Sequence, residues 1–115
     1  MIKDAILVLV TCPSVKEADK IIDILLDKKL IACAGVLTGM KSKFRWKGNI
    51  EKAKEILIMA KTRASKFAAI DREVRRVHSY EVPEIVALPI VPEANAISNG
   101  YAIRWYKCMF VPRHL

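Results

Sequence analysis

Three short runs in this chain are apolar at every position: Ile6 to Val10, Ile56 to Ala60 and Ile85 to Leu88. A strand turns successive side chains to opposite faces. A sheet with one wet face therefore alternates apolar and polar residues. These runs do not alternate, so they require a sheet covered on both sides. Left bare, the second face would be a large apolar patch on the surface. Two coverings are open: a terminal helix or the twisted hairpin folded over the face, or self-association, with each added apolar side chain worth on the order of 25 cal/mol per Å² buried.

The chain is punctuated around these runs. Thr11, Cys12, Pro13 ends the first one, because proline opposes further pairing. Ser14 followed by Glu17 has the form of a capping box, and Ala18, Ile21, Ile22, Leu25 and Leu26 recur at helical spacing to about Lys29. From Cys33 to Trp46 the period falls to two. Met40, Ser42, Phe44 and Trp46 share one side of an extended strand, with Lys41, Lys43, Arg45 and Lys47 on the other. A turn at Gly48 and Asn49 returns the chain as a strand over Glu55 to Thr62, which makes a long hairpin. Ser65 is positioned to cap a second helix carrying Phe67, Ile70, Val74 and Val77 on one stripe and ending near His78. Pro83 then excludes helix, Ile85 to Val91 reads as the last strand, and a third helix starts at Asn95 or Ser98 with Ile97, Tyr101 and Trp105 in register.

The order is β-α-β-β-α-β with a terminal helix: an α+β, ferredoxin-like split βαβ plan with an antiparallel sheet. A doubly wound parallel sheet is the rival, and the short hairpin at Gly48 argues against it. At 115 residues and 53% apolar content the chain supports one domain over 1–115 with an ample core, and 110–115 reads as a flexible tail. No apolar stretch of membrane-spanning length occurs, and the first ten residues do not have the form of a secretion signal. Cys12, Cys33 and Cys108 are odd in number and far apart, so neither a disulfide framework nor a closed zinc site is indicated, and a reducing cytoplasm is the expected home.

The net charge of +8 permits an acidic partner. Its clearest expression is the row Lys41, Lys43, Arg45, Lys47, which reads either as an anion track or as lysines that keep an exposed strand from edge pairing. Single-strand RNA binders of this fold stack bases on aromatic residues of the central strands, and the runs at Ile6 and Ile56 hold none. That argues against nucleic acid. Arg72, Arg75 and Arg76 read as the solvated side of the second helix.

Five segments stand in order: Thr11, Cys12, Pro13; Ala32, Cys33, Ala34; Phe44 to Gly48; Glu55 running into Lys61 and Thr62; and His78 to Glu84. Together, over roughly residues 5 to 107, they resemble the CutA family of divalent-cation tolerance proteins. The resemblance implies a homotrimer with hairpins pairing across subunits, an association with copper and other divalent metals, no organic cofactor and no established catalytic activity. It points to Cys33, in the family's Ala-Cys-Ala segment, and to His78, heading its His-Pro-Tyr segment, as metal donors. Ser79 replaces that proline, and Val10 and Val77 stand where some relatives carry a cysteine and a second histidine.

The residue chemistry leaves alternatives beside those roles. Thiolate, thioether and imidazole are the better copper donors, which limits the choice to the cysteines, His78, His114 and the methionines. Cys33 also reads as a small buried apolar residue, and His78 as a helix C-terminal residue facing the dipole. No P-loop, G-x-S-x-G or G-x-G-x-x-G occurs, and no Ser or Cys pairing with His is suggested. Glu55, Lys61, Tyr80 and Glu84 read as an intersubunit network, or, with Trp46, as the wall of a small-molecule cleft between subunits. The alternative function is a trimeric signalling module similar to the PII family, which binds a small ligand or partner protein at subunit clefts.

Overall fold

A computed structural model describes residues 4–91 of the chain. Strand β1 (Ala5–Cys12), helix α1 (Val15–Asp27), strands β2 (Cys33–Trp46) and β3 (Asn49–Arg63), helix α2 (Phe67–Val77) and strand β4 (Ile85–Pro89) follow in the expected order. The sheet order is β2-β3-β1-β4 with every neighbouring pair antiparallel, the split βαβ arrangement. Residues 95–105, where the third helix is expected, lie outside the described residues, as do Cys108 and His114.

Ile6, Val8, Val10 and Cys12 of β1 point to the helices and meet Ala18, Ile21 and Leu25 of α1, Ile58 and Ala60 of β3, and Ile70 and Val74 of α2. This is the core. Ser14 caps α1 as expected, its Oγ accepting the Glu17 N–H at 3.2 Å. The reciprocal half of the capping box is absent, because the Glu17 carboxylate turns to the Ser79 N–H, also at 3.2 Å. Lys28 follows α1 and Lys29 has φ 58°, where the chain leaves the helix. Lys28 Nζ reaches Glu73 Oε1 of α2 at 3.0 Å, tying the two helices together. No described helix is long and apolar enough to cross a membrane.

Three details differ from the sequence reading. The hairpin loop is Lys47 and Gly48, with φ 51° and 83°, between the paired residues Trp46 and Asn49. Two consecutive left-handed residues match the twist of the strands they join, and glycine adopts that conformation without a Cβ penalty. β3 therefore begins at Asn49. Second, Ser65 does not cap α2: Ala64 N–H bonds Asp4 O at 2.7 Å and the chain winds at once into a 3-10 turn, Ala64–Lys66, that contains Ser65. Third, β4 ends at Pro89, short of the expected Val91; Pro89 faces Ile6, and the last bond to β1 is the Ile90 N–H donating to the Ala5 carbonyl at 3.0 Å.

The opposite face of the sheet is apolar and uncovered among the described residues. Register places Leu7 and Leu9 of β1 beside Lys61 and Met59 of β3 and beside Leu88 and Val86 of β4. Leu57 pairs with Thr11 on one side and Leu37 on the other. Leu37, Val86 and Leu88 are 55%, 41% and 48% exposed, values that belong to a face awaiting a cover and not to a core.

Candidate functional site

Beyond Glu55 the hairpin leaves the sheet: β1 pairs with β3 only from Ile56 onward, so among the described strands residues 49–54 pair with β2 alone. A β-bulge between Leu37 and Met40, with Gly39 at φ 77°, re-aims the arm at that point. Met40, Ser42, Phe44 and Trp46 lie in register with Glu55, Ala53, Glu51 and Asn49 on the side of the open face. The segment 78–84, between α2 and β4, crosses opposite them. A cleft of about 490 Å³ results, walled by Thr11, Met40, Phe44, Trp46, Glu55, Tyr80, Val82 and Glu84. The structure thus brings together Trp46, Glu55, Tyr80 and Glu84 of the expected set. Lys61 lies elsewhere, six residues along β3 from Glu55, beside Cys33 and Leu7.

His78 holds the crossing segment. Its side chain is fully buried. Nε2 lies 2.7 Å from Thr11 O, and Nδ1 accepts the Tyr80 N–H at 3.0 Å. An accepting Nδ1 leaves the ring proton on Nε2, which donates to the Thr11 carbonyl. The Glu17 carboxylate stands 3.4 Å from Nδ1 and bonds Ser79 N–H instead. The ring thereby connects β1 to the segment after α2, with Tyr80 stacked at 4.8 Å between ring centroids. It does not sit on the carbonyls at the end of its own helix.

Tyr80 carries this order into the cleft. Its hydroxyl donates to Glu55 Oε2 at 2.9 Å, and Glu55 is only 8% exposed. Burial first, then the bond to the Glu55 carboxylate, pushes the Tyr80 phenol up to about 12. Nearby Cys12 has no exposed surface and donates to Ser14 O at 3.6 Å. Burial, reinforced by the Glu17 carboxylate, pushes its thiol up to about 11. Such a thiol stays protonated and unreactive at neutral pH.

The expected metal donors are not gathered. Cys33 pairs with Lys61, which pairs with Leu7, whereas His78 binds Thr11 at the other end of β1. Four strand residues separate the two levels, roughly 13 Å. Both His78 ring nitrogens already have protein partners. No cluster of three or more His, Cys, Asp or Glu side chains suited to a metal occurs among the described residues. The described donors therefore do not fit a metal centre preformed within this chain.

Sequence reading missed the roles of Glu17 and Thr11 as partners of the 78–80 segment, since contacts across 60 or more residues leave no local pattern. It also missed Lys52 and Lys54. The hairpin register sets them directly opposite Lys43 and Lys41.

Known proteins resemble this chain over most of its length. The family described as CutA1 divalent ion tolerance protein matches residues 6–105. A protein CutA homolog of Xenopus laevis is 46% identical over 81 residues, covering 70% of this chain and 54% of the relative. The mouse protein CutA is 43% identical over the same length, with 46% of the relative covered, so the match spans about half of these vertebrate proteins. The divalent-cation tolerance protein CutA of Archaeoglobus fulgidus is 47% identical over 81 residues, covering 70% of this chain and 78% of the relative. Among solved structures, the periplasmic divalent cation tolerance protein CutA from Archaeoglobus fulgidus superposes with TM-score 0.79 at 37% identity, covering 91% of this chain and 98% of that one. CutA1 from Oryza sativa gives 0.81 at 29% identity, covering 96% and 97%. With a family match over 6–105 and the same fold, the chain belongs to the CutA1 family of divalent-ion tolerance proteins.

Proposed function

We propose that this chain serves the response to divalent cations as a homotrimer packed through the open sheet face, that it meets copper or another divalent metal only weakly, and that it performs no catalysis of its own. The observation that carries this reading is the face left uncovered among the described residues, with Leu37, Val86 and Leu88 exposed beside half-buried Leu7, Leu9, Leu57 and Met59. A patch of that kind calls for a partner surface, and closed symmetry is the common way for a chain to supply it. The names of the relatives supply the divalent cations. Cys33, half-buried on the same face, offers one thiolate, and water or another copy completes the shell; reduced thiols fit a cytoplasmic setting.

Calorimetric titration with Cu(I), Cu(II) and Zn(II) tests the metal part. Weak binding that falls in Cys33→Ser and depends on intact assembly supports it, while tight binding unchanged in Cys33→Ser contradicts it. A second reading, a small-ligand signalling module, is favoured by the aromatic cleft around Glu55 and Tyr80. Nucleotide-induced thermal shifts that vanish in Tyr80→Phe would select it.

A further inference from the structure

The cleft between the hairpin arm and the 78–84 segment reverses the charge balance of the chain. Overall, 20 lysines and arginines stand against 12 aspartates and glutamates. The cleft has two chambers, of about 490 and 450 Å³, that share the walls Phe44, Trp46, Tyr80 and Val82. Glu55 and Glu84 line the first and Glu51 and Glu81 the second, so four carboxylates face two lysines, Lys43 and Lys52. None of the four pairs with a described cation. Glu55 is the buried one, only 8% exposed. Its Oε2 accepts from the Tyr80 hydroxyl, and among the described residues its Oε1 has no hydrogen-bond partner. A buried carboxylate oxygen without a donor is costly. The aromatic walls suit the same charge: Lys47 Nζ already stands 5.6 Å from the centroid of the Trp46 ring.

We propose that this cleft binds a small organic cation, a protonated amine on an aromatic or apolar body, with the ammonium at Glu55 Oε1 and the body against Phe44, Trp46 and Tyr80. This occupant presupposes the small-ligand reading of the cleft. An N–H donor supplies what Oε1 lacks, and ring faces and carboxylates both attract its charge. A hard divalent metal is the poorer fit. Calcium takes about six to eight oxygen ligands, and no cluster of three or more His, Cys, Asp or Glu suited to a metal occurs among the described residues. A nucleotide would bring phosphates to walls where glutamates outnumber lysines two to one. The site does not depend on a free arm. Pairing between copies uses backbone groups at a strand edge, whereas Met40, Phe44, Trp46, Glu51 and Glu55 stand on one face of the ribbon. The site is also preorganised: His78 holds Tyr80 through its N–H, and Tyr80 holds Glu55.

The test is isothermal calorimetry of the full chain in phosphate buffer with phenethylamine and tryptamine, each beside the carboxylate of the same shape, 3-phenylpropanoate and indole-3-propanoate. The amines should bind about tenfold tighter than the carboxylates or better. Glu55→Gln keeps an oxygen for the Tyr80 hydroxyl while removing the charge, and should weaken the amines about tenfold. Glu84→Gln, at an exposed residue of the same chamber, should weaken them in the same direction, and Lys43→Gln should strengthen them. A circular dichroism melt confirms that each variant is folded. Amines that bind no better than the carboxylates, or equally well in Glu55→Gln and Glu84→Gln, overturn the proposal. If ATP then raises the melting temperature of the unaltered chain but not of Tyr80→Phe, the cleft is a small-ligand site of the opposite charge preference. No shift with ATP either would remove the small-ligand reading as well.

Discussion

Replacing Leu88 by lysine should separate the subunit from the proposed assembly. In the subunit Leu88 lies on edge strand β4 beside Leu7 and is 48% exposed, so a lysine there can extend its ammonium to water. The monomer should lose no more than about 0.5 kcal/mol. In a trimer packed on this face the remaining half of the leucine is buried, worth roughly 1 kcal/mol per subunit from a full leucine value of about 1.5 to 3 kcal/mol. Lysine forfeits that and adds a desolvation cost of several kcal/mol for each ammonium. Three copies bring the total to the order of 10 kcal/mol per trimer, enough to dissociate it at micromolar concentration. Sedimentation equilibrium with far-ultraviolet circular dichroism reads both states, and the expected result is a folded species of subunit mass. A trimer with unchanged melting would refute the reasoning and assign the cover of the face to the third helix expected from sequence.

Trp46→Ala should weaken assembly more than subunit folding, because Trp46 is 42% exposed in the subunit and truncating an aromatic that a neighbour buries costs about 3 to 5 kcal/mol; an unchanged trimer and melting temperature would make it a surface residue. His78→Ala should lower the melting temperature by an amount equivalent to about 2 kcal/mol, through loss of the Thr11 and Tyr80 bonds, while copper affinity measured against a competing chelator holds. Cys33→Ser should show the reverse pattern, and copper affinity lost in His78→Ala alone would mean that the ring leaves these partners to bind metal. Stability should be lost at alkaline pH. The Cys12 thiol and Tyr80 phenol hold their protons more tightly folded than unfolded, so their contribution is complete below about pH 9 and declines as pH rises through about 11 and 12. Urea titrations from pH 8 to pH 12 check this, and the decline should shrink in Tyr80→Phe.

The framework of the fold is written locally, and local chemistry is what sequence displays. Ser14 with its helical stripe, the period-two strand ending at Trp46, and runs apolar on both faces each mark an element through its own residues. Details that depend on partners far along the chain were not legible. Whether Ser65 caps a helix is decided by Asp4, which draws Ala64 into a tight turn. The cleft is half visible, since Trp46, Glu55, Tyr80 and Glu84 each carry a family segment, yet Lys61 belongs to the same segment as Glu55 and falls at the other end of its strand. His78 shows the limit most plainly. Its side chain advertises metal chemistry, but the Thr11 carbonyl and the Tyr80 amide that occupy both nitrogens are visible only once the backbone is folded. The pairing of lysines across the arm depends likewise on the two-residue loop at Lys47 and Gly48, which fixes which lysine meets which.

On the proposed function, copies of the chain complete a sheet that is apolar on both faces. Sedimentation equilibrium of the unaltered chain at micromolar concentration tests it most directly. A single species of about three times the 13.0 kDa chain mass is expected. A stable folded species at the chain mass itself would contradict it.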